Sequence, residues 1–286
     1  MNDRDRKQRF QRGPQKGRDS SREQGQGQGR PGRDQGRRPP RRDRETGGDG
    51  VAVLYGWHPV TLALANPNRT IRKLWLTENA ARRLSDEKIE TRVTPELVRP
   101  EDIDRRLGPD AVHQGMLAEV DPLEGPDLDD LPQDGMVLVL DQITDPHNVG
   151  AILRSAAAFK VNAVITTNRH SPEATGVLAK AASGALELVP IIAVPNLARA
   201  LNQLNDQGFM TVGLDSEGSD NISAVPLSAP LALVLGAEGK GLRHLTRETC
   251  SVVARLDMPG EIKSLNVSNA AVLALYIGAS KLGLMN

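Results

Sequence analysis

The sequence predicts an α/β protein whose main sheet is mostly parallel and covered on both faces. Three observations carry that expectation. From residue 136 onward MVLVL, AVITT, VPIIAV, FMTVGL and LALVLG are short, almost continuous apolar runs, the pattern of strands buried on both sides. Helix-like segments at 148–159, 173–183, 197–207 and 242–249 alternate with them, as a parallel sheet requires. Aromatic residues make up only 2% of the chain, so the core must be built from Ala, Val, Leu and Ile.

Residues 1–50 precede this pattern and differ from it. Met1 and Phe10 are their only large apolar side chains, and 15 Lys and Arg stand against 8 Asp and Glu. Such a segment buries too little surface to offset its ordering entropy, so it reads as a disordered basic tail. Most of its basic residues are arginine, which stacks on bases and forks onto phosphates, so RNA is one partner the tail suits. A solvated tail with no specific partner is the other reading. Gly27, Gly29 and Gly32 fit G-x-G-x-x-G, but no strand precedes them and no helix follows, so a dinucleotide site is not expected there.

Residues 51–120 read as a small α/β module. Tyr55 to Pro59 leads into a helix at VTLALA, RKLWLT (72–77) and GMLAEV (115–120) read as strands, and 79–89 reads as a helix. Residues 121–135 are acidic and proline-rich, the composition of a linker. Residues 136–286 form the main α/β domain, closing with a long helix within SLNVSNAAVLALYIGASKLGL.

Several function classes lack their parts. Cys250 is the only cysteine, so neither a disulfide framework nor a cysteine zinc site is expected. The N-terminus has no apolar signal region and no run is long enough to cross a membrane, which points to the cytoplasm and to no membrane partner. No H-E-x-x-H, G-x-S-x-G or complete Walker A motif occurs.

Ligands of open α/β sheets bind at the carboxyl ends of strands, and three such places are polar. Asp145, Pro146, His147 and Asn148 follow the first run, with Arg154 further along the same segment. They could serve a site, or simply cap a helix and face solvent. LGAEGKG (235–241) follows LALVLG; its glycines allow close backbone approach, while Glu238 and the missing Ser/Thr argue against a phosphate cradle. Ser264, Asn266, Ser268 and Asn269 crowd the start of the last helix, more small polar residues than a cap needs.

Together these places resemble the SpoU–TrmH family of RNA ribose 2′-O-methyltransferases in the SPOUT superfamily. Asn148-Val-Gly-Ala-Ile-Leu-Arg154, Leu235-Gly-Ala-Glu-Gly-Lys-Gly241 and Ser264-Leu-Asn-Val-Ser268 match its three motifs in order. Leu54-Tyr55-Gly56 and His113-Gln114-Gly115 resemble the L30e-like substrate-binding domain of the branch that methylates a guanosine in 23S rRNA. Leu256-Asp257-Met258 departs from the family's usual Ile-Pro-Met.

The resemblance implies a SPOUT-type sheet ending in a deep trefoil knot, S-adenosyl-L-methionine as cofactor, and a homodimer with sites at the subunit interface. It implies Asn148, Arg154, Glu238, Ser264 and Asn266 as catalytic residues, and Gly236, Gly239, Leu256, Leu265 and Ser268 as cofactor contacts. Arg154 is implied as the group that activates the ribose hydroxyl. Because a guanidinium keeps its proton, stabilising the alkoxide or gripping a phosphate are open alternatives. A tRNA 2′-O-methyltransferase and a non-catalytic ribosome-assembly factor are the competing functions.

Overall fold

The computed structural model describes residues 51–108, 110–167, 176–262 and 264–285. The expectation of a disordered tail at 1–50 lies outside the described residues.

The first sheet is built from β1 (Ala52–Tyr55), β2 (Ile71–Leu76), β3 (Glu96–Leu97) and β4 (Met116–Val120), in the order β1-β4-β2-β3. Helices α1 (Trp57–Ala65), α2 (Glu78–Asp86) and α3 (Pro100–Leu107) connect them. The first helix starts a turn earlier than VTLALA. Pro59 falls in its first turn, where a missing N–H costs nothing, and the amide of Trp57 donates to Gln114 Oε1 at 2.8 Å. Both tryptophans lie here under arginines: the Arg83 guanidinium stands 3.6 Å from the Trp57 ring centroid and that of Arg106 4.3 Å from Trp75. Such cation–π contacts shield large apolar surface with a solvated charge.

The acidic stretch that follows does not hang free. Leu131 is buried, and Asp129 Oδ1 accepts from the side-chain amides of Gln203 and Gln207, each at 2.8 Å.

The second sheet has seven strands: β5 (Met136–Asp141), β6 (Ala163–Thr167), β7 (Ile191–Val194), β8 (Met210–Leu214), β9 (Asp220–Asn221), β10 (Leu231–Gly236) and β11 (Val252–Arg255). Their order is β7-β6-β5-β10-β8-β11-β9, and every pairing is parallel. Helices α4 (Pro146–Ala158), α5 (Gly176–Ala182), α6 (Leu197–Asp206), α7 (His244–Thr249) and α8 (Val267–Lys281) accompany it.

Side chains alternate across a strand, and here both faces are buried. Met136, Leu138 and Leu140 of β5 join Ile152 and Leu153 of α4 and Leu275 of α8 in one core. Val137 and Val139 of the same strand join Leu201 and Leu204 of α6 in another. This two-sided burial is the physical origin of the continuous apolar runs. The helix expected at 242–249 begins at His244 with Arg243 as its N-cap, and the amides of Leu242 and Arg243 donate to Asp215 Oδ2 and Asp141 Oδ2.

Leu153 is wholly buried between α4 and the sheet. Leu153→Ala should lower unfolding free energy by about 2–5 kcal/mol, read from denaturant titration.

Candidate functional site at the carboxyl edge of the second sheet

The carboxyl ends of β5, β8, β10 and β11 point toward one edge, where α8 begins. At the end of β10 the chain folds back sharply: the amides of Lys240 and Gly241 donate to the Ala237 carbonyl at 3.2 and 2.9 Å. Gly236 is thereby brought so close to the returning strand that a Cβ on it would stand 2.2 Å from the Gly241 carbonyl carbon. No side chain fits there, so bare backbone faces the space beside the loop.

That space is a cavity of about 240 Å³ lined by Asp215, Gly236, Glu238, Leu256, Ser264 and Leu265, among others; Gly239 also lines it. Among the described lining residues the only charged side chains are two carboxylates, Asp215 and Glu238. A second cavity, of about 400 Å³, adjoins it and is lined by Gln142, Thr144, Asp145, Asn148, Glu238 and Lys240. Ala237, Glu238 and Val267 line both. One space is therefore apolar with an acidic wall, the other polar, and Glu238 stands between them.

Asn266 is the N-cap of α8, with Oδ1 accepting from the Ser268 amide at 2.8 Å and from Ser268 Oγ at 2.6 Å. Those two contacts fix the amide so that its Nδ2 donates to Asn148 Oδ1 at 2.9 Å. The bridge joins the first turn of α4 to the cap of α8. Asp145 caps α4 by accepting from the His147 amide at 3.2 Å. Capping and site-building are thus done by the same residues.

Eight of the ten expected site residues converge: Asn148, Gly236, Glu238, Gly239, Leu256, Ser264 and Leu265 line the two cavities, and Asn266 is bonded to one of them. Ser268 lines neither; its hydroxyl orients Asn266. Arg154 also lines neither and stands on the exposed side of α4.

Three residues were not anticipated. Asp141 is buried and accepts from Arg243 Nε at 2.6 Å and from the Arg243 amide at 3.0 Å, tying the end of β5 to the end of the glycine loop. Asp215 holds the loop after β8, with Oδ1 accepting from the Glu217 amide at 3.0 Å. Asp141 ends an apolar strand and Asp215 directly follows one, so the strand-end rule could have found them. Gln142 sits at φ 60 beside the second cavity, a strained conformation that sequence patterning cannot reveal.

Next to Leu256, the Asp257 carboxyl is held below its ordinary value by a hydrogen bond from Asn221, then by Arg255. A depressed carboxyl favours the folded loop above the unfolded pKa and loses that contribution as pH falls through the folded value. The Cys250 thiol is pushed up to about 12 by burial, then by the nearby Asp141 charge. Among the described residues no group of three or more His, Cys, Asp or Glu could hold a metal ion, and no helix is long and apolar enough to cross a membrane.

The family model described as SpoU rRNA Methylase matches residues 135–276, and one for RNA 2'-O ribose methyltransferase substrate binding matches residues 53–126. The chain is 37% identical over 238 residues to the 23S rRNA (guanosine-2'-O-)-methyltransferase RlmB of Pseudomonas putida, covering 78% of this chain and 94% of that one. It is 40% identical over 234 residues to its counterpart in Pasteurella multocida, covering 78% and 95%. The crystal structure of the SpoU methyltransferase AviRb from Streptomyces viridochromogenes, in complex with AdoMet, superposes with a TM-score of 0.69 at 25% identity over 81% of this chain and 90% of that one.

Gly236→Ala forces backbone apart at the loop, so amide hydrogen exchange in 237–242 should accelerate while the strand interiors stay protected. Cys250 carries little thiolate at neutral pH, so it should resist alkylation in the native protein and react only after unfolding, as mass spectrometry would read.

Proposed function

The chain belongs to the SpoU rRNA methylase family, and we propose that it transfers a methyl group from S-adenosylmethionine to the 2′-hydroxyl of a guanosine in 23S rRNA. The observation that carries this reading is the pair of adjoining cavities that share Glu238. The acidic, glycine-walled one suits a cationic sulfonium cofactor and would repel a triphosphate. The polar one suits a nucleotide.

The backbone around Gly236, Gly239, Leu256 and Leu265 would hold the cofactor, with Asp215 and Glu238 giving the cavity its negative wall. When bound, S-adenosylmethionine supplies the electrophilic methyl group. Asn148, fixed by Asn266, orients the ribose, and Ser264 and Glu238 position the groups on either side of the shared wall. The 2′-hydroxyl would give up its proton to water in the open polar cavity as its oxygen takes the methyl, and a protonated guanidinium stabilises the negative charge that develops. We assign that role to Arg154.

Arg154 lies outside both cavities of a single chain, which supports a dimeric site. On α8, Val272, Leu273 and Tyr276 are 38, 44 and 53% exposed. That helix packs against α4, the helix carrying Arg154. Pairing of two copies through α8 would cover these side chains and close the site around the arginine. The interleaved order β10-β8-β11-β9 supports a knotted end to the chain, and the first sheet supports an L30e-like, RNA-binding domain. The arginine-rich residues 1–50 would add salt-sensitive attraction to RNA, with the cytoplasm as the compartment of action.

Methyl transfer from labelled S-adenosylmethionine tests this reading, with unmodified 23S rRNA and bulk tRNA offered separately. Label should enter 23S rRNA at one guanosine and make that linkage resistant to alkali. Label in tRNA alone would overturn the substrate, and label in neither would favour an assembly factor. Arg154→Ala should reduce turnover by at least about a hundredfold, with cofactor affinity by calorimetry changed no more than a few-fold. Loss of cofactor binding would refute its assigned role.

A further inference from the structure

The two sheets are joined by a buried charge pair that lines a separate cavity of about 420 Å³ and belongs to neither cavity of the carboxyl edge nor to the family motifs. Arg69 stands in the turn between α1 and β2, and Glu187 in the short 3-10 turn (Ala185–Glu187) after α5, 118 residues away. Their side chains are 5% and 2% exposed. Arg69 Nη2 donates to Glu187 Oε1 at 2.6 Å, and its Nε lies 3.0 and 3.1 Å from the two carboxylate oxygens. Asn66 Nδ2 donates to Glu187 Oε2 at 2.7 Å, and Arg69 Nη1 to the Asp121 carbonyl. Both charges are therefore paired and hydrogen-bonded.

The neighbourhood is built around this pair. Arg92 donates from Nη2 to the carbonyls of Ala63 and Arg69, at 2.9 and 3.2 Å, which fixes the turn that presents Arg69. On the opposing side, Gly184 has φ 89, and a Cβ there would stand 2.3 Å from Leu62 Cδ1 and 3.2 Å from the His58 carbonyl. Helix α1 thus rests directly on the turn that holds Glu187. Ala179 of α5 belongs to the core of the first sheet rather than the second.

We infer that Arg69 and Glu187 are positioning residues that set the orientation of the RNA-binding module on the methyltransferase domain. They would thereby place the target ribose at the catalytic edge when the module has engaged rRNA. Burying two charges contributes little net stability, but a pair with forked geometry admits few alternative arrangements. Apolar contact alone, as where Leu62 lies over Gly184, lets surfaces slide; a bidentate pair does not. The inference rests on the rRNA reading above.

The test uses the full-length protein carrying Arg69→Met with Glu187→Leu, which removes both charges and leaves neither buried alone. A milder variant, Arg92→Ala, loosens the turn and leaves the pair in place. Dyes at Ser85→Cys and Ser228→Cys, in a Cys250→Ala background, report the distance between the two parts by energy transfer. The expected result is a broadened distance distribution, a KM for 23S rRNA raised about tenfold, and S-adenosylmethionine affinity within twofold of the parent. Arg92→Ala should shift the same two readouts less. An unchanged distance distribution and an unchanged KM in both variants would overturn the inference. If the parent protein fails to methylate rRNA, the substrate reading falls, and the distance measurement alone decides whether the pair sets the orientation.

Discussion

Everything at the functional edge accommodates one contact between two stretches of backbone. Gly236 at the end of β10 and Gly241 five residues later approach more closely than any side chain permits. That closure makes the loop a tight lip rather than an open connection, and it faces uncovered peptide groups toward the smaller cavity. Asp141 and Asp215 then act on the next two residues: they take the amides of Arg243 and Leu242, from the ends of β5 and β8. Three strands are thus tied to one loop, and α7 starts just beyond the two amides so held. The start of α8 completes the edge through Asn266 and Asn148. Rigidity here comes from carboxylates holding backbone amides together with the Asp141–Arg243 and Asn266–Asn148 side-chain contacts.

The second sheet was legible in the sequence because both of its faces are buried. Met136, Leu138 and Leu140 serve one core while Val137 and Val139 serve the other, so the apolar run is continuous and marks the strand unambiguously. Helix starts were less legible. Trp57 begins α1 because a glutamine from the far side of the module accepts its amide, and local patterning carries no trace of a partner 57 residues away. The strand-end rule marked Asn148, Glu238 and Asn266 as candidates, and motif resemblance joined them into one site. Asn148 and Asn266 are 118 residues apart, and nothing in periodicity pairs them. Arg154 shows the converse: its motif marks it, yet within one chain it stands apart from both cavities. The Arg69–Glu187 pair left no signal, since each residue reads locally as an ordinary surface charge.

Arginine has several distinct physical uses in the described chain. Arg69 neutralises a buried carboxylate, Arg243 ties a strand end to a loop, and Arg83 and Arg106 cover indole rings. The fork matters most at Arg69, whose Nε and Nη2 grip both carboxylate oxygens, a geometry lysine cannot reproduce. A chain with few aromatic residues and a core of aliphatic side chains gains directional contacts this way, where apolar packing alone would be permissive about geometry.

The tryptophans under those arginines have an optical consequence. Trp57 and Trp75 are the only two in the chain, and both belong to the first sheet and its helices. Indole emission therefore reports the small module and is nearly blind to the seven-stranded sheet, whereas far-ultraviolet dichroism sums over both. A melt followed by the two signals would separate into distinct curves if the parts unfold independently and coincide if they unfold as one. The placement of two side chains has, in effect, labelled one half of the molecule from within.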